Sequence, residues 1–198
     1  MDIKYFFNFS DGHLASSIQV ESTNLNIKEN DLDDHWKLIK GDYKGIYFPI
    51  IFKQRYGKNF NDILGTGWPG LYLISERFKN VLEENNLKGW TTFHIKLYNK
   101  KGDEIMGYHG FSVLGKCGPT SYSNCEIIEK RLVPNGPLCK YYKGVCIDGW
   151  DGSDFFTPER SYETFITQKA ADKLRKHKIS NMSLENLADV EMAVENIL

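Results

Sequence analysis

The sequence predicts an α+β fold in which a mostly antiparallel sheet carries two principal helices. Three observations lead there. Much of the chain consists of short runs rich in β-formers, separated by Gly, Pro, Asn and Asp. Two segments instead place their apolar residues at helical spacing behind a hydroxyl residue. Finally, those two segments lie 92 positions apart and share one layout.

In chain order, "IKYFFNF" and "SSIQVES" read as strands. "KENDLDDHW" then gathers Glu29, Asp31, Asp33 and Asp34 ahead of Trp36. The nearly continuous apolar run "GIYFPIIF" (45–52) suits a strand covered on both faces, or an edge strand because Pro49 cannot donate to a ladder. "KNFNDIL" is predicted as a short helix. "GTGWPG" (65–70) is glycine-rich but opens the apolar run "LYLI" rather than a helix, so it reads as a turn or junction and not as a phosphate loop.

The first regular block follows. "LYLI" is a strand, Ser75 an N-cap, and "ERFKNVLEENN" a helix with Phe78, Val81 and Leu82 on one face. Gly89 sits in a natural position to end it. "TTFHIKLYN" alternates as one strand, and "KKGD" turns it into "EIMGYHGFSVLG", its hairpin partner. "CEIIEKRLVP" and "LCKYYKGVCIDGW" are strands around the turn "PNGP". In the second block, Ile166, Leu174 and Ile179 repeat the positions of Ile74, Leu82 and Leu87. "KLRKHK" (173–178) there complements the negative end of a helix dipole. These blocks predict pseudo-repeated strand–helix–strand units. In the tail, Leu184, Leu187, Val190, Val194 and Leu198 fit a helical stripe, whereas the repeat calls for a strand at 182–187 and irregular chain beyond. The expected division is 1–66, a mixed strand and loop segment packed on the rest, and 67–198, the main α+β domain.

Composition bounds function. With 198 residues the chain is long enough to bury a core without disulfide or metal, and a net charge of −1 predicts no direct nucleic-acid binding. No apolar run reaches the roughly 18 residues of a membrane span, and the N-terminus lacks the features of a secretory signal, so a cytoplasmic protein with no membrane partner is expected. Cys117, Cys125, Cys139 and Cys146 contain no C-x-x-C pair, which argues for reduced, packed thiols. Cys139 and Cys146 flank "KYYKGV" and could face each other across a hairpin.

The densest polar chemistry is "DGWDGSDFF", with Asp148, Asp151 and Asp154 spaced by three. That spacing misses the alternate-position register of a calcium loop, whose twelfth position would fall on Glu159. His13, His35, His94, His109 and His177 lie in no catalytic signature. No catalytic residue, metal site or cofactor is therefore predicted. Asp-Gly pairs favour tight turns, and a rigid turn can also present charge to a basic partner. The candidate partner-binding residues are Asp148, Trp150, Asp151 and Asp154, together with Glu29, Asp31, Asp33 and Asp34.

"YLISERFKNVLEENNLKGW", "YNKKGDEIMGYHGFSVLGKCGP", "WDGSDFF" and "FITQKAADKLRKHKISNM" together resemble the bacterial immunity-protein families of polymorphic toxin systems and the domain families related to them. The likeness covers roughly residues 70–187 and leaves the first 65 unmatched. It implies a small cytoplasmic inhibitor that binds a cognate toxin domain and blocks its active site or its substrate's approach. Two other readings stay open. One is a small hydrolase using Asp148, Asp151 or Asp154 with His94 or His109. The other is a non-catalytic ligand-binding domain with its pocket between the two repeated blocks.

Overall fold

The computed structural model describes residues 3–25, 33–122, 125–131 and 133–194. Its first half runs β1 (Phe6–Asp11), β2 (Gln19–Ser22), α1 (Asp33–Lys40), β3 (Ile50–Tyr56), β4 (Ile63–Gly65), β5 (Tyr72–Ser75), α2 (Glu76–Glu84), β6 (Trp90–Phe93), β7 (Ile95–Tyr98), β8 (Glu104–Ile105) and β9 (Tyr108–Val113). It continues through β10 (Gly115–Cys117), β11 (Thr120–Ser121), β12 (Glu126–Arg131), β13 (Leu138–Lys143), β14 (Cys146–Ile147), β15 (Phe155–Pro158), β16 (Thr164–Thr167), α3 (Gln168–Lys176), β17 (Met182–Asn186) and β18 (Glu191–Ala193). The fold is α+β, mostly sheet and rich in antiparallel pairs.

Helices α2 and α3 form for the reasons their sequences suggest. The Ser75 hydroxyl accepts the Phe78 N–H at 3.1 Å, and the Thr167 hydroxyl accepts the Ala170 N–H at 3.2 Å. Each bond satisfies an otherwise orphaned N–H of the first turn. The buried faces are Phe78, Val81 and Leu82 on α2 and Ala170, Ala171 and Leu174 on α3, and they share one core cluster. Asn86 and Lys178, both at φ 50°, turn the chain out of the two helices in the left-handed region. Gly89 lies further on, in the link to β6, where its φ of 89° and the Phe155 carbonyl beside it exclude a side chain.

Two large sheets organise the molecule. The eight-stranded one has the order β6-β9-β5-β4-β2-β3-β7-β8, and the five-stranded one β10-β15-β16-β1-β17. Strands β6 and β7 stand near opposite ends of the larger sheet, yet only His94 separates them in the chain. A sheet built this way has to curl until its ends meet. Inside the curl, Leu38 and Ile39 of α1 pack with Phe52, Leu73, Ile95 and Leu97. The hairpin β12–β13 continues into β18 as a small separate sheet, and β11 pairs β14.

Several expectations are corrected. "KNFNDIL" is not helical: Ile63 and Leu64 enter β4 and pair Ile74 and Leu73. "TTFHIKLYN" is two strands: burial alternates unbroken through Phe93, the exposed His94 and Ile95, but the chain changes partners at His94, β6 pairing β9 and β7 pairing β3 and β8. "EIMGYHGFSVLG" is likewise split: β8 closes a hairpin with β7, while β9 pairs β5 and β6. The run 45–52 is extended only from Ile50, immediately after Pro49, which supplies no N–H to a ladder. A third helix, α1, was not foreseen. Strands from residues 1–66 join the rest of the chain in both large sheets: β1 lies between β16 and β17, and β4 pairs β5. In the tail, β17 forms where the repeat calls for a strand, and Val194 is the last described residue of the supposed helical stripe, Leu198 lying outside.

Candidate functional site

The loop "DGWDGSDFF" is a tightly bonded turn laid against β10. The Gly118 N–H donates to the Asp148 carbonyl at 2.6 Å, and the Asp151 N–H to the Lys116 carbonyl at 3.1 Å. The Asp151 carboxylate accepts from the Lys116 N–H at 2.8 Å and the Ser153 N–H at 2.9 Å. Burial opposes its ionisation, but the backbone N–H groups of Ser153 and Lys116 outweigh that and hold its pKa below the ordinary carboxylate value. Gly149 and Gly152 both take positive φ, which permits the turn. Trp150 is half-buried: its indole N–H donates to the Ser153 carbonyl, and its ring packs edge-on against Phe6 at 5.2 Å. Phe155 and Phe156 are fully buried.

The three aspartates therefore divide. Asp148 and Asp151 are exposed. Asp154 is buried, and its carboxylate accepts the Lys88 N–H, the Thr167 hydroxyl and the Lys169 ammonium. Its place is structural, with no free edge to offer a partner. Of the second acidic group, Glu29 and Asp31 lie outside the described residues, as does the side chain of Asp33. Asp33 and Asp34 open α1, where acids complement the helix dipole. The far end of that helix, Lys40, lines a cleft of about 540 Å³ with Lys116, Gly149 and Glu159. The acids opening α1 are thus about 10 Å of helix away from Lys40.

The histidines are used elsewhere. His109 pairs with Glu76 on the α2 surface, holding that carboxyl below its ordinary range, and His94 is exposed between β6 and β7. The cysteines are free thiols. Cys139 sits opposite Lys130 in the β12–β13 hairpin and Cys146 opposite Ser121, so these two do not face each other across a hairpin. Cys125 is the neighbour of Cys146, and burial followed by the Cys146 charge raises its pKa. Among the described residues no three His, Cys, Asp or Glu side chains group as metal ligands, and no helix is long and apolar enough to cross a membrane.

A second cleft was invisible in the sequence. It has a volume of about 420 Å³ and is bounded by the end of β1, the 65–72 segment and the Tyr162–Glu163 pair. Asp11 lies in it, in phase with Phe7 and Phe9 on the buried side of β1. An acid at an apolar phase was the one local signal of this site. No protein-family model matches the chain, and no curated protein matches it.

Proposed function

We propose that the protein is an immunity-type inhibitor that binds a cognate toxin domain by surface complementarity. The observation that carries this reading is the 148–154 loop. Backbone bonds to Gly118 and Lys116, together with the packed Trp150 ring, hold Asp148 and Asp151 at the surface without burying them. A preorganised, charged projection loses little entropy on docking, and its carboxylates can steer a basic surface. Asp148 is the cleaner docking residue, because the Asp151 carboxylate is already committed to the loop.

The architecture behind the loop supports a further part of the proposal, that residues 71–98 and 163–187 are two copies of one strand–helix–strand unit. Ser75 and Thr167 are matching caps, α2 and α3 are both nine residues long, and the pairs Ile63–Ile74 and Phe155–Ile166 match in register.

The test is a binding assay with the C-terminal domain of any toxin-like protein encoded beside this one. Wild type should capture it, with an association rate that falls as salt rises. Asp148→Lys should fold normally and associate more slowly at low salt. Failure of the wild-type protein to bind that domain removes the immunity reading; unchanged rates for Asp148→Lys remove only the loop's part in it.

A further inference from the structure

The cleft beside Asp11 has the chemistry of a cation site. Asp11 is only 4% exposed. Its carboxylate receives Gln19 Nε2 at 3.3 Å and His13 Nδ1 at 3.4 Å, and the His13 side chain is 78% exposed. Both separations exceed the ordinary N–H···O distance of about 2.9–3.0 Å, and a carboxylate offers about four acceptor sites. A buried carboxylate with so little compensation is costly unless another positive group approaches it. Gly65 lets the backbone of β4 pack directly against this pair: a Cβ there would fall 2.8 Å from Asp11 Oδ2 and 2.4 Å from Gln19 Oε1.

The rest of the lining fits the same ligand. Tyr56, Trp68, Tyr72 and Tyr162 supply aromatic surface, Glu163 adds a second carboxylate, and no Lys or Arg is present among the lining residues. Two of the rings are held from behind. Trp68 stacks on the buried His35 at 3.9 Å and 26°, and Tyr162 meets Trp36 edge-on at 4.4 Å. Aromatic faces beside a carboxylate attract ammonium and guanidinium groups through the ring quadrupole as well as through charge. An anion would find no basic partner here beyond the exposed His13. A hard divalent ion would want six or more oxygen ligands in the case of calcium, or several retained waters in the case of magnesium.

We propose that this cleft binds an organic cation, an alkylammonium or guanidinium group, with the Asp11 carboxylate as counter-ion and the rings of Trp68, Tyr72 and Tyr162 as walls. Its volume suits a group of amino-acid size. The cation is either a free small molecule or a basic side chain presented by another protein. This site stands apart from the 148–154 loop and does not rest on the toxin reading.

The test uses the full-length, ¹⁵N-labelled protein titrated with tetramethylammonium, with arginine amide and with citrulline amide, the last two acetylated at the α-nitrogen so that the guanidinium is the one charge and citrulline amide is its neutral isostere. The two cations should produce saturable shifts at the Gly67 and Gly70 amides and at the Trp68 indole N–H, and citrulline amide should not. Asp11→Asn and Trp68→Leu should each weaken binding about ten-fold or more, equivalent to about 1.4 kcal/mol, with the remaining amide spectrum preserved. If Asp11→Asn does not fold, Trp68→Leu decides the matter. An acetylated Gly-Arg-Gly amide that binds more tightly than arginine amide identifies the source as a partner's side chain, and equal affinity identifies a free cation. Absence of saturable shifts with both cations, equal binding of citrulline amide, or undiminished affinity in the folded variants overturns the proposal.

Discussion

Asp62 and Asp154, both buried, make the same set of contacts at the starts of α2 and α3. The Asp62 carboxylate accepts the Ser75 hydroxyl at 2.7 Å and the Arg77 guanidinium, and its carbonyl accepts the Ser75 N–H. The Asp154 carboxylate accepts the Thr167 hydroxyl at 3.0 Å and the Lys169 ammonium at 3.2 Å, and its carbonyl accepts the Thr167 N–H. Each carboxylate then crosses to the other helix. Asp62 takes the Ser180 N–H beyond α3, and Asp154 takes the Lys88 N–H beyond α2, both at 2.9 Å. Two side chains thereby lace the two halves of the core together.

Asp154→Ala should therefore cost about 2–4 kcal/mol, because it strips the partner from a part-buried amide and a cap hydroxyl at once. Lys169→Ala should cost less than about 1 kcal/mol: the Lys169 side chain is 53% exposed, and solvent screens its pair with Asp154. Urea melts of the two variants give the comparison. Equal losses would mean that the ion pair, and not the amide and hydroxyl contacts, carries the stability.

Leu82 and Leu174 are both fully buried in the cluster shared by α2 and α3. Replacing either with Ala should cost about 2–5 kcal/mol through lost burial and a residual cavity. Denaturant midpoints at unchanged slope would check this, and a loss near zero for one leucine would show that its surroundings collapse to fill the space.

What the sequence disclosed was what is encoded locally. A capping hydroxyl, an apolar stripe and a turn residue lie within one short stretch, so α2, α3 and the β12–β13 hairpin were legible. Pairings between distant segments were not. Nothing in "FFNFSD" says that β1 will lie between β16 and β17, near the other end of the chain. Asp154 looked like its neighbours in "DGWDGSDFF", because its burial depends on Thr167 and on the remote Lys88. The acids before α1 read as a surface patch, although Asp33 and Asp34 ahead of Leu38 and Ile39 also fit a helix start. Asp11 was passed over because Trp68 and Tyr162, which give its position meaning, come from distant segments.

Asp151 makes the loop sensitive to acid. The backbone N–H groups of Ser153 and Lys116, acting against burial, lower its pKa in the folded state. Its contribution to stability is then fully present above the unfolded aspartate value, near pH 4, and is lost as pH falls through the lower folded value. Asp151→Asn should flatten that part of the stability–pH curve and leave the neutral-pH fold intact. Urea midpoints measured from neutral pH to strongly acid pH test this, and a variant with the same acid slope as wild type would exclude Asp151 as its source.

The thiols should differ in reactivity according to their surroundings. Cys117 is buried, and burial first, then the charges of Asp151 and Glu159, pushes its pKa up to about 11. At pH 8 it remains a thiol and should resist iodoacetamide in the native protein, since the thiolate is the nucleophile. Cys125 and Cys146 are neighbours, and the Cys125 Sγ also contacts the Gly144 carbonyl at 3.1 Å. Mild oxidation with diamide should therefore join Cys125 to Cys146, each thiol losing one proton and one electron to the diazene as the S–S bond forms, and should leave Cys139 free. Peptide mapping by mass spectrometry, with and without prior unfolding, distinguishes the outcomes. A Cys139–Cys146 bridge formed in the native state, or rapid native alkylation of Cys117, would contradict the arrangement of β10, β13 and β14 described above.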